Sequence, residues 1–200
     1  MDDNIKNAFN CVAKMFDETS FLLRDFKDIM EKKHDFTSTQ KGKNANAICT
    51  NTSKSLNSAK EWLPRYIADI YERKQQAQNK GANSLLLITV SFYNGELNAV
   101  GPYLVLGVVK GSTTPWQLHS PFFNDSDSYE YSDFETEEKL TLPHSMDKNI
   151  KFRWINSKKR KQGYPVEGIF FYEKLLSIKD YKDIELRAKR IVDLWHKYNC

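Results

Sequence analysis

Four consecutive cations, Lys158, Lys159, Arg160 and Lys161, stand between a run ending Arg153-Trp154-Ile155 and another beginning at Pro165. Neighbouring like charges repel by about 1 kcal/mol per pair at close range in water, so the cluster is tolerable only where water screens it or an anion meets it. It is therefore expected on the surface. The anion that suits it is a phosphate backbone. Lys151 and Arg153 lie on the polar side of the strand leading in, and Tyr164 offers a ring on which a base can stack. Arg187 and Arg190 share one face of a closing helix. These nine residues are the candidate nucleic-acid contacts. A plainer reading is that a lysine-rich hairpin tip keeps a strand edge from pairing with other chains. In a third, the tip meets an acidic segment of the same molecule or of a partner.

That acidic segment gathers Asp125, Asp127, Glu130, Asp133, Glu135, Glu137 and Glu138 within fourteen residues, enough hard oxygen ligands for a divalent ion. It lacks the glycine and terminal bidentate glutamate that shape a calcium loop, so the expectation is a surface loop over 124–138 with no tightly held metal. Glu138-Lys139 and Glu173-Lys174 bring a carboxylate next to a lysine, as metal-dependent nucleases do. Adjacent strand residues point to opposite faces, however, which separates the two groups. His119 and His144 lie in loops beside prolines, with no partner visible in the sequence. P-loop, dinucleotide-binding, nucleophile-elbow and H-E-x-x-H patterns are missing, so an enzyme is disfavoured and no cofactor is implied.

The chain of 200 residues carries a net charge of +4, unevenly distributed. Residues 120–150 hold two Lys/Arg against eight Asp/Glu, whereas residues 151–200 hold thirteen against six. An acidic stretch directly followed by a basic one is the main compositional signal. Cys11, Cys49 and Cys200 are odd in number and widely spaced, which suggests reduced thiols. The start of the chain is acidic and polar where a signal peptide would be basic then apolar, and no stretch reaches the length of a membrane helix. A cytoplasmic protein without a membrane partner is expected.

These groups need elements to position them. Ile5, Phe9, Val12, Phe16, Thr19, Leu23, Phe26 and Met30 alternate spacings of four and three, which predicts a helix over 3–33 with a wide apolar stripe. Residues 35–52 read as a polar loop. Leu63, Tyr66, Ile67, Ile70 and Tyr71 match one face of a second helical region over 53–79, broken between Ser58 and Pro64. From Gly81 the pattern changes to strands: Leu85–Tyr93, a turn at Asn94-Gly95, then Tyr103–Lys110. Weaker strand candidates are Trp116–His119, Leu140–Leu142 and Ile150–Ile155, and Val166–Tyr172 is again strongly strand-like. A helix over 179–198 closes the chain on Tyr181, Ile184, Ala188, Ile191, Trp195 and Tyr198.

The prediction is an α+β fold: a mainly antiparallel sheet of about five strands, with the long N-terminal helix and the C-terminal helix packed on one face. The length suits a single domain over 1–200, divided into a helical part (1–80), a sheet (81–176) and the closing helix (177–200). The leading functional expectation is a non-enzymatic protein whose basic hairpin and helix contact a nucleic-acid backbone. The alternative is a protein-interaction or regulatory module that binds another protein or itself through charge-segregated loops. More distant alternatives are a small-molecule sensor and a metal-dependent hydrolase.

Overall fold

The computed structural model describes residues 3–39, 48–49, 66–74, 84–92, 102–111, 129–136, 138–140, 148–154 and 167–199. Helix α1 (Asp3–Lys33) begins with Asp3 and ends with Lys32 and Lys33, charges that oppose the partial charges of the helix ends. The chain then turns through Asp35 at φ 60°, a left-handed conformation that aspartate tolerates better than most residues. It enters β1 (Phe36–Ser38) directly. The remaining strands are β2 (Ile48–Cys49), β3 (Tyr66–Arg73), β4 (Leu85–Ser91), β5 (Tyr103–Lys110), β6 (Tyr129–Asp133), β7 (Lys139–Leu140), β8 (Ile150–Trp154) and β9 (Glu167–Lys174). A short 3₁₀ turn (Leu175–Ser177) leads to α2 (Tyr181–Asn199).

Among the described residues, eight strands lie side by side in the order β1-β3-β4-β5-β9-β8-β6-β7, with β2 also paired to β3, and every pairing is antiparallel. The layout of two helices and an antiparallel sheet agrees with the sequence, but the sheet is wider than five strands. Three of the additional strands, β1, β2 and β6, lie within the stretches read as loops at 35–52 and 124–138.

The helix expected over 53–79 is overturned where the structure describes it, because residues 66–73 form β3. Tyr66, Ala68 and Ile70 belong to one buried cluster, while Tyr71 belongs to another on the opposite side of the sheet. A strand buried on both faces carries apolar residues at consecutive positions, and a short run of that kind also satisfies helical spacing. The bare backbone edge of the apolar β4 decides between them, since β3 pairs with it from Tyr66↔Ser91 to Tyr71↔Leu86. The expected break at Ser58–Pro64, the Asn94-Gly95 turn and the Trp116–His119 strand lie outside the described residues.

Both helices pack on one face of the sheet and against each other. Phe26, Ile29 and Met30 of α1 and Ile191 and Trp195 of α2 close over Leu86, Ile88, Leu106 and Phe171. Full burial of each such side chain stabilises by about 1.5–3 kcal/mol relative to exposure. The Lys33–Glu185 ion pair ties the helices together at the surface. The α1 stripe divides: Leu23, Phe26, Ile29 and Met30 are buried, whereas Ile5 and Phe9 remain 47% and 67% exposed. On the other sheet face, Gly168 is needed for close approach, since a β-carbon there would stand 2.2 Å from the Val108 carbonyl oxygen and 2.6 Å from the Phe152 ring.

Candidate nucleic-acid interface

Strand register determines which of the proposed contacts can meet. Across the sheet, Lys110 stands opposite Glu167, Glu167 opposite Arg153, and Arg153 opposite Glu130. The row therefore alternates in sign over four strands. Lys139 of β7 closes it, with Nζ 3.7 Å from the Glu130 carboxylate. Facing opposite charges across strands stabilise by about 0.2–1 kcal/mol per pair, so the row sets the register of the sheet end more than its strength.

Along this row lies a groove of about 450 Å³, lined by Glu130, Lys139, Lys151, Arg153 and Glu167, with Tyr198 at its helix side. Arg153 and Lys139 are exposed, while Lys151 is half-buried. Lys151 Nζ lies 4.9 Å from the centre of the Phe134 ring, and Lys197 Nζ lies 5.0 Å from the same ring while pairing with Glu135 at 3.2 Å. Lys110 donates from Nζ to the Tyr198 carbonyl at 3.0 Å, satisfying an acceptor at the end of α2. Burial, and secondarily the Glu167 charge, pushes the Tyr198 phenol well above its ordinary range, which keeps it protonated.

The connection from β8 to β9 leaves the described sheet after Trp154 and returns at Glu167, and Arg153 pairs with Glu167. Lys158, Lys159, Arg160, Lys161 and Tyr164, which follow β8 and precede β9 in sequence, lie outside the described residues. Of the nine candidates, Lys151 and Arg153 line the groove. Lys139 joins them, and sequence reasoning missed it because it is brought there by β7 pairing with β6.

Neither Arg187 nor Arg190 belongs to the described lining of this groove. Arg187 is the more distant: its partner Glu173 lies six steps along β9 from Glu167, about 20 Å at the rise of a strand. Arg187 Nε and Nη2 each donate to Glu173 at 2.9 Å, and Nη1 donates to Asp183 at 3.0 Å. Glu173 is thereby paired within the fold. The Arg190 guanidinium lies 3.7 Å from the centre of the Phe171 ring and reaches Asn149 Oδ1 at 3.5 Å.

Where it is described, the acidic segment takes a different form from the expected loop; Asp125, Asp127 and Glu137 lie outside the described residues. Tyr129–Asp133 is strand β6, followed by a tight turn at 134–136. Asp133 is buried at that turn and accepts the Glu135 N–H at 2.8 Å and the Thr136 N–H at 3.2 Å. Those bonds, with Lys148 at 3.0 Å, hold its carboxyl at about 2. Among the described residues no three His, Cys, Asp or Glu side chains are grouped so as to hold a metal ion. His119 and His144 fall outside them. No helix among the described residues is long and apolar enough to cross a membrane.

No protein-family model matches the chain, and comparison with curated proteins and with solved structures finds no significant match either.

Proposed function

We propose that this chain is a non-enzymatic binding protein that contacts a nucleic-acid backbone through the 155–166 connection and the groove at its base. The observation that carries this reading is the convergence of Lys139, Lys151 and Arg153 on one groove beside the end of β8 and the start of β9, the strands that flank residues 155–166 in sequence. Phosphates spaced along a strand can be followed by cations on a tip and on an adjoining sheet face without any base-specific contact. Glu130 and Glu167 flank Arg153 and limit what it adds, so the tip carries most of the attraction. Arg187 and Arg190, occupied within the fold, take no part in this version of the interface.

The test is an electrophoretic shift titration at two salt concentrations on single-stranded and duplex probes of mixed sequence. Replacing Lys158, Lys159, Arg160 and Lys161 with Ser should weaken binding equally for all sequences and flatten the salt slope by up to about four units. Lys151→Ser with Arg153→Ser should flatten it less. No binding by the wild type at low salt, or a tip variant that binds as before, would overturn the reading.

A second reading, a protein-interaction module, draws on a different observation: the first half of α1 presents Ile5 and Phe9 to solvent. Exposed apolar residues at helical spacing are what a partner helix or groove would cover.

A further inference from the structure

A second groove lies at the far end of β9 and α2, where α1 passes the 3₁₀ turn and the first turn of α2. Its volume is about 390 Å³. Leu22 of α1 faces Leu175, Ile178 and Ile184 across it, all continuous with the main core. One lip is Leu176, which is 83% exposed, the highest value among the large apolar side chains of the described residues. Tyr181 stands beside it, and Lys33 Nζ lies 5.6 Å from the centre of its ring. The lip therefore belongs to well-anchored elements: the Ser177 hydroxyl donates to the Lys174 carbonyl at 2.7 Å, and the Asp183 N–H donates to Asp180 Oδ1 at 3.0 Å.

The rim is acidic. Glu18 and Asp25 lie seven residues apart on α1, on the same side as Leu22 between them, and Asp180 stands across the groove. Among the described residues, Lys179 is the single cation of the lining. Among the described residues neither Glu18 nor Asp25 forms an ion pair, and the Asp180 bond to a backbone N–H leaves its charge in place. An apolar floor with a net negative rim selects for one chemistry. Phosphate, anionic lipid and acidic peptides are repelled by three carboxylates, and a bare cation gains nothing from the leucines.

We infer that this groove docks a short segment of a protein partner, an apolar anchor flanked by Lys or Arg. The anchor covers Leu176 and Leu22, removing apolar surface from water, while the flanking cations meet Glu18 and Asp25. The site is about the length of β9 away from the basic groove, so the inference does not depend on nucleic-acid binding.

A fluorescein-labelled amphipathic peptide of Leu and Lys is the probe, read by fluorescence anisotropy. Its controls carry Glu in place of Lys, or Ser in place of Leu. The wild-type chain should bind the Leu/Lys peptide at least about tenfold tighter than either control, and so should the chain with its 158–161 cations replaced by Ser. Leu176→Asp, at an exposed position, should weaken binding about tenfold while the circular-dichroism melt stays unchanged. Glu18→Lys with Asp25→Lys should lower affinity for the Leu/Lys peptide and raise it for the Leu/Glu control. Equal binding of all three peptides, or none to the wild type, would overturn the inference, as would unchanged affinity in the variants. A dimer in sedimentation velocity that Leu176→Asp abolishes would assign the groove to a second copy and overturn it too.

Discussion

Arg187 and Glu173 form a two-pronged ion pair, with Nε on Oε1 and Nη2 on Oε2, both at 2.9 Å. Their side chains are only 15% and 16% exposed, and the planar fork of arginine matches the carboxylate without further ordering. The pair joins the end of β9 to α2, so it acts on the fold. Arg187→Ala should destabilise the chain by about 1.5–3 kcal/mol, the range for hydrogen bonds to charged groups. Urea unfolding measures that loss. The same variant should bind nucleic acid as the wild type does at fixed salt. A loss of binding comparable to that of the Lys158–Lys161 variant would return Arg187 to the interface.

The difference between Arg187 and Arg153 explains how much of the site is legible in the sequence. Alternation along Ile150–Trp154 places Lys151 and Arg153 on one face of β8, and the sheet keeps that placement. Helical spacing likewise places Arg187 and Arg190 on one face of α2. The sequence does not reveal that this face is turned toward Glu173 and Phe171, because that depends on how α2 lies against β9. Lys139 enters the groove through a two-residue strand, too short to show any period. The same limit applies to the fold. α1, α2, β4, β5 and β9 are long enough for their patterns to stand out, whereas β1, β2 and β7 hold two or three residues each. In β3, burial on both faces removes the alternation that marks a strand.

Asp133 links acid stability to the turn after β6. Its folded-state carboxyl titrates at about 2, below the ordinary value of 3.8, chiefly because the Glu135 N–H, with Lys148, favours the charged form. A depressed folded-state value contributes stability that is present above the unfolded value and is lost as pH falls through the folded one. The wild type should therefore lose stability between about pH 4 and pH 2 from this group. Asp133→Asn should be less stable at neutral pH and show a shallower decline across that window. Urea midpoints at pH 7, 4, 3 and 2 for both proteins measure the difference. Parallel pH profiles would show that Asp133 is not the group responsible.

The two ends of the apolar stripe on α1 should respond unequally to truncation, and Trp195 provides the reference. Trp195 is 5% exposed, meets Phe36 edge-to-face with ring centres 5.5 Å apart, and has the Arg73 guanidinium 5.6 Å from its ring centre. Removing that ring leaves a cavity among residues that cannot collapse into it, so Trp195→Ala should cost about 3–5 kcal/mol. Phe26, fully buried on α1, should behave likewise when changed to Ala. Phe9 belongs to the same stripe by spacing, yet it is largely exposed. Phe9→Ser should therefore change stability by no more than about 0.5 kcal/mol in either direction. Urea unfolding followed by tryptophan fluorescence for Phe26→Ala and Phe9→Ser, and by far-ultraviolet circular dichroism for Trp195→Ala, measures the three. A Phe9→Ser loss as large as that of Phe26→Ala would mean that the first turns of α1 are buried, removing the observation behind the protein-interaction reading. A near-neutral result leaves Ile5 and Phe9 available to a partner, and the same variant then serves to test for one.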